Sequence, residues 1–171
     1  MRRILILSAL AATLAGAGCE RLALGPPQAA SAPSAARGTQ DVPDLRPFAG
    51  ATFEEFLAQP GMEGYAPAAL GLSEADAMRL EAAMARPAPA PLASGGGAEA
   101  IVFSGCAAAG CDQGRGVVAI DLETGAAFVG VRDASGETEF RPNPRVEALL
   151  RLTSPSRRWD DPAPYTTAAQ P

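Results

Sequence analysis

The sequence predicts an α+β domain in which helices pack against a central antiparallel sheet. Apolar residues recur at helical spacing in two segments before residue 87 and in one after residue 143. The stretch between them carries short apolar runs, which are typical of strands. Short polar turns separate these runs and favour an antiparallel meander. At 171 residues, the chain has room for one ordinary domain.

The first two helices are marked by residues that cap helix ends. Thr52 and Glu55 fit a capping box, in which each side chain bonds to the backbone N–H of the other residue, and Pro60 ends this helix. Ser73 begins the second helix in the same way, and Pro87 stops it.

A break rich in Pro and Gly, residues 87–97, separates the first two helices from the predicted strands. Pro144 suits the first position of a third helix, whose apolar stripe includes Val146, Leu149 and Leu150. Between the break and this helix, the pattern predicts four strands at residues 100–104, 117–122, 126–132 and 137–141.

Residues 1–18 have the composition of a secretory signal peptide, with two Arg before an apolar run and small residues after it. As a helix, the apolar run would reach only about 22 Å, so we do not expect a retained membrane span. Ala17-Gly18-Cys19 resembles a bacterial lipobox, which predicts lipidation of Cys19. Ordinary signal-peptidase cleavage before Gly18 is the alternative. Either route predicts export to the periplasm or to an outer-membrane anchor.

The segments that flank the predicted domain have no hydrophobic period. Residues 19–49 are rich in Pro, Ala and Ser, and we interpret them as a disordered tether. The domain is expected to span residues 50–153, and residues 154–171 return to a Pro/Ser/Arg composition that predicts a flexible tail. The adjacent carboxylates Asp160 and Asp161, together with Asp121 and Glu123, are interpreted as solvated charges.

The residue inventory argues against an enzyme. All fourteen basic residues are Arg, so the chain has no His for a catalytic triad or an imidazole metal site and no Lys for a phosphate loop. We therefore expect no cofactor and no metal site. After removal of the leader, twelve Arg and nineteen acidic residues leave a net charge of −7. This balance disfavours nucleic acid as a partner and suits cationic partners.

Two cysteines, Cys106 and Cys111, enclose the segment Ala107-Ala108-Ala109-Gly110 between the first two predicted strands. We interpret the pair as a short structural disulfide. This pairing leaves one cysteine over, and lipidation of Cys19 would account for it. A redox-active pair, a metal site and a nucleophilic cysteine are weaker alternatives. The spacing is not Cys-x-x-Cys, no further Cys or His lies nearby, and the chain has no His to act as a base.

This region resembles the inhibitor of vertebrate lysozyme (Ivy) family, whose members are exported bacterial proteins that block C-type lysozymes. The family has a strand that enters a Cys-x4-Cys loop, then a short polar turn and an apolar strand. This chain follows the same order, with the strand at residues 100–104, the loop at 106–111, the turn at 112–116 and the apolar strand at 117–120. The resemblance continues through residues 124–128. The resemblance implies a central antiparallel sheet with helices packed on one side. It also implies that residues 106–111 form a protruding binding loop.

The loop itself departs from the family, where it typically reads Cys-Lys-Pro-His-Asp-Cys and its polar side chains engage the catalytic carboxylates of lysozyme. Ala107, Ala108, Ala109 and Gly110 carry no charge and no side-chain donor. The resemblance implies an exported envelope protein that binds a C-type lysozyme or another cationic muramidase. The alternative is an accessory envelope lipoprotein that retains the fold without inhibiting lysozyme.

Overall fold

The computed structural model describes residues 42–166. These residues form six strands and three α-helices, and every strand pairing is antiparallel. The strand order is β1-β3-β4-β5-β6, and β2 also pairs with β3. The helices and strands are α1 (Phe53–Leu57), α2 (Glu74–Ala83), β1 (Arg86–Ala88), β2 (Leu92–Gly95), β3 (Ala98–Ala107), β4 (Gly110–Asp121), β5 (Ala127–Asp133), β6 (Gly136–Arg141) and α3 (Pro144–Thr153).

The predicted α+β class with a central antiparallel sheet is confirmed. Two strands are additional, because β1 and β2 form within the segment that we interpreted as a break. Both pair with β3: β1 pairs with residues sixteen or more positions later in the chain, whereas β2 forms a tight hairpin with β3 through the pair Gly95–Ala98. Pro87 is accommodated in β1, which has only one partner strand in the sheet.

The predicted capping box at the first helix is present. The Thr52 hydroxyl accepts a hydrogen bond from the Glu55 N–H at 3.3 Å, and the Glu55 carboxylate accepts one from the Thr52 N–H at 2.8 Å. Ser73 caps α2 through the N–H of Asp76. Asn143 caps α3 and is followed by Pro144 at the first helical position, where a missing N–H costs nothing.

One face of the sheet is covered by α1 and α2. Phe56 of α1 is fully buried and stacks on Phe103 of β3 with ring centroids 4.7 Å apart. Leu80 and Ala83 of α2 belong to the same hydrophobic cluster. For α1 and α2, this layer confirms the expected packing of helices on one side of the sheet.

The opposite face carries a layer that the prediction did not include. Here α3 packs through Val146, Leu149 and Leu150 onto inward-facing residues of β3, β4 and β5. Trp159 completes the cluster with 1% of its surface exposed, and its ring meets Phe128 edge-on at a centroid distance of 5.4 Å. Because strand residues alternate between faces, both sides of β3–β5 are buried.

Both limits of the ordered domain lie outside the expected range 50–153. Leu45 is 1% exposed and belongs to the first cluster, and the segment after α3 is held against the sheet by Trp159. We call residues 154–166 the C-terminal strap. Our expectation of a flexible tail from residue 154 is therefore wrong for the strap, since its Trp makes long-range contacts that composition does not show. The predicted signal peptide, Cys19 and most of the predicted tether lie outside the described residues.

No helix within residues 42–166 combines the length and the apolar composition needed to cross a bilayer.

Candidate functional site

The predicted binding loop is the hairpin tip between β3 and β4. Cys106 and Cys111 form the predicted disulfide with Cα atoms 4.5 Å apart. The ladder of β3 and β4 shifts register here, from the pair Cys106–Arg115 to the pair Ala107–Gly110, so residues 111–114 have no partner in β3. Ala108 and Ala109 form the turn. Both are exposed. Gly110 has φ of 127°, a left-handed conformation that a side chain would strain. The disulfide and the single pair Ala107–Gly110 constrain the backbone of this exposed tip.

The chemistry of this tip is almost entirely that of the backbone. Its exposed side chains are methyl groups, and no turn or loop hydrogen bond among the described residues uses the N–H of Ala108 or Ala109. Asp112 and Gln113 are the exposed polar side chains that follow the tip along the chain, and exposed Arg86 of β1 lies opposite Cys106 in the sheet. The predicted polar turn of residues 112–116 falls within β4, which begins at Gly110, although Asp112 and Gln113 have no paired residue in β3 or β5.

The loop is supported from β5 by a guanidinium. Arg132 donates from Nη2 to the carbonyl oxygen of Cys111 at 3.1 Å. The same guanidinium forms an ion pair with Asp160 of the strap, whose side chain is only 3% exposed. Arg158 also binds Asp160 through Nε at 2.9 Å. The strap therefore orients the group that fixes the backbone at the base of the loop.

Asp160 is charged in this environment. Burial alone would raise its pKa, but hydrogen bonds and charges from Arg158 and Arg132 outweigh it and hold the pKa below the ordinary aspartate value. Beside it, Asp161 pairs with Arg115 of β4, which also donates to the Asp160 carbonyl oxygen at 3.3 Å. Our interpretation of Asp160 as a solvated charge is wrong, because two guanidinium groups and the sheet enclose it.

A family comparison covers most of this architecture. The family model described as "Inhibitor of vertebrate lysozyme (Ivy)" matches residues 69–166, which is more than half of the chain. The chain belongs to the Ivy family. The match includes α2, the whole sheet, α3 and the strap, whereas α1 precedes it. Searches of curated proteins and of solved structures gave no match.

Within the Ivy domain, the sequence identified the disulfide loop. It did not identify Arg132 and Asp160, which hold the base of the loop. Cys106-x4-Cys111 is a local spacing and can be read directly. Arg132 lies 21 residues from Cys111 and 28 from Asp160, so no local pattern links them. The only available signal was the single Trp of the chain, which stands next to Asp160 in a segment otherwise rich in Pro and Ser.

Asp121, which we expected to be exposed at a hairpin, is 1% exposed and has a structural role. Its carboxylate accepts hydrogen bonds from the N–H groups of Glu123 and Thr124 at 2.9 and 3.0 Å, which shapes the turn before β5. Arg145 lies 3.4 Å away. Glu123 is exposed as expected. Within residues 42–166, no cluster of three or more potential ligands could hold a metal ion.

Proposed function

We propose that this Ivy-family protein is exported to the cell envelope, where it binds a lysozyme or a related muramidase and inhibits it by protein–protein binding. The contact is made by the loop of residues 106–111. Cys19 carries the lipid anchor in this proposal, and the segment after it spaces the domain from the membrane. The observation that carries the proposal is a disulfide-constrained, exposed hairpin tip at the Cys-x4-Cys position of an Ivy domain.

The tip suits insertion into a narrow cleft because it loses little freedom on binding. The disulfide and the pair Ala107–Gly110 constrain the backbone before any partner arrives, which lowers the entropic cost of association. Small methyl groups at Ala108 and Ala109 leave the backbone N–H groups accessible to acceptors such as the carboxylates of a muramidase. The acidic balance of the chain would steer a cationic enzyme toward it, and salt would weaken this steering.

The alternative function is that of a non-inhibitory accessory lipoprotein of the envelope. One observation favours it: the loop lacks every side-chain donor and charge that the family typically presents. Without those groups, contact with catalytic carboxylates depends on the backbone alone. The domain would then be retained for binding another envelope component.

The test is lysozyme activity against titrated protein, residues 20–171, with hen-type and goose-type enzymes at two salt concentrations. The proposal expects inhibition at sub-micromolar concentration. No effect at tens of micromolar would contradict inhibition and favour the accessory role. A pulldown with the same protein distinguishes the two further, because the accessory role predicts capture of envelope proteins and no stable capture of lysozyme at physiological salt.

A variant designed to bind more tightly tests whether the partner is held through the loop. Ala109→His places at the exposed tip the kind of side chain that the family uses, and a charge-assisted hydrogen bond should strengthen inhibition about tenfold or more. Ala148→His is the matched control, because Ala148 is exposed on α3 and far from the loop in sequence. If wild type inhibits and both variants behave like it, the partner is not held through the loop.

A further inference from the structure

A second concave surface lies between α1 and α2, and we call it the α1–α2 groove. It has a volume of about 570 Å³ and is open to solvent. Its walls are mainly apolar, with Phe53 and Leu57 on one side and Leu80 and Met84 on the other. The volume falls within the range of about 300–1,000 Å³ that is usual for ligand sites.

Met78 adds an exposed apolar side chain to this groove. It lines the groove and is 57% exposed, and it is one of the two large apolar side chains that the structure exposes within residues 42–166. Methionine adapts its shape to different apolar partners, and for that reason it is common at protein-binding surfaces. An exposed Met beside an open apolar groove indicates a site for apolar side chains of a partner.

The charged residues that line the groove are all acidic: Glu54, Glu74 and Glu81. All three are exposed. None forms a salt bridge or accepts a side-chain hydrogen bond from the described residues, whereas the acidic groups near the strap are paired with Arg. The groove is therefore an apolar surface with an uncompensated negative rim.

The one basic residue within residues 52–85 binds the sheet and not the groove. Residues 52–85 contain six carboxylates and a single Arg, Arg79. Arg79 holds Asp133 of β5 through Nε at 2.5 Å and donates to the Thr138 hydroxyl at 3.0 Å. Its charge is therefore used in tying α2 to the sheet. Residues 52–85 keep a local excess of five negative charges, and the next basic residue along the chain is Arg86, exposed at the start of β1.

We propose that the α1–α2 groove docks a cationic amphipathic segment of a partner protein. Apolar side chains of that segment would lie against Met78 and Met84, and its Lys or Arg side chains would pair with Glu74 and Glu81. We choose a cationic segment because its charges complement the acidic rim. A neutral apolar segment would form no ion pairs with the glutamates. The proposal goes beyond lysozyme inhibition because it assigns a surface separate from the disulfide loop.

The test uses a fluorescent helical peptide with one Leu face and one Lys face, titrated with residues 20–171 and followed by anisotropy at two salt concentrations. We expect binding that weakens with salt. Glu74→Gln with Glu81→Gln should weaken it about fivefold, as expected for two surface charge pairs. The matched control is Glu63→Gln with Glu139→Gln, which removes the same charge at exposed positions outside the groove and should change the affinity less than about twofold. Met78→Ala should also weaken binding.

Two results would overturn the proposal: no peptide binding at about 100 µM, or equal losses in the groove variant and its control. Sedimentation of the protein alone addresses a second copy of the chain as the occupant. A dimer that Met78→Ala dissociates would assign the groove to self-association and overturn the proposal as well. Peptide binding at the groove without any lysozyme inhibition would count against the proposed function alone.

Discussion

Trp159 gives the sharpest test of the structure, because the sequence predicted a flexible tail where the strap is packed. The perturbation is Trp159→Ala. The indole is 1% exposed, packs on Gly130 and meets Phe128 edge-on. Burial of about 200 Å² at about 25 cal/mol per Å² gives an upper limit near 5 kcal/mol. Truncations of this kind cost about 3–5 kcal/mol.

We therefore expect Trp159→Ala to lower the free energy of unfolding by about 4 kcal/mol, out of a typical total of about 5–15 kcal/mol. For a domain of this size, the loss corresponds to a fall in Tm of about 15 °C. Because the variant lacks the only Trp, the assay is urea unfolding followed by far-ultraviolet circular dichroism.

The matched control is Leu152→Ala, which removes an apolar side chain that is 64% exposed. It should change the free energy of unfolding by less than about 0.5 kcal/mol. If Trp159→Ala behaved like this control, the strap would contribute nothing to stability. The packing of the second face would then be refuted.

Three further predictions concern the same domain. Replacing Cys106 and Cys111 together by Ser should lower stability by about 2 kcal/mol, the chain-entropy value for so small a ring, and calorimetry of both forms measures it. Gly130→Ala places a Cβ 2.8 Å from the ring of Trp159, so it should cost about 1–3 kcal/mol and shift the emission of this Trp to the red; unchanged emission would contradict the packing. The pKa of Asp160 is lower in the folded protein than in the unfolded chain, where it is about 3.9. Its contribution to the free energy of unfolding is therefore present above the unfolded pKa and is lost as the pH falls through the folded pKa. Asp160→Asn should therefore flatten the acid limb of a stability profile measured by urea unfolding, and an unchanged limb would remove Asp160 as its source.

The parts of the fold that the sequence predicted correctly depend on neighbouring residues. The capping box of Thr52 and Glu55 spans three residues and needs no tertiary contact. The apolar runs of β3, β4 and β5 are buried on both faces, so their composition alone is typical of strands.

Most of the parts that the sequence missed depend on distant partners. The strand β1 has a composition typical of loops, and it pairs with residues 104–106 of β3. The exception is β2, which pairs with β3 across the turn at Gly96 and Gly97, so here the local Gly run marked a hairpin turn and not a break. The strap has no periodicity, and long-range contacts hold it, among them the ring of Trp159 on Gly130 and the ion pair of Asp160 with Arg132. The candidate loop divides in the same way, since its disulfide is a local spacing whereas its support by Arg132 is not.

The supports of the loop explain how a tip without polar side chains can still be a specific binding element. A side chain such as His carries its own directional donor, so it tolerates small shifts of the backbone beneath it. A tip that presents only N–H groups does not, because the position of the backbone is then its whole specificity. Here the disulfide fixes the hairpin, Arg132 fixes the carbonyl oxygen of Cys111, and buried Asp160 fixes Arg132. If the alanine loop binds a muramidase, the strap is part of its specificity. Asp160→Asn should then reduce the free energy of binding, measured from the inhibition constant, by more than it reduces the free energy of unfolding at neutral pH.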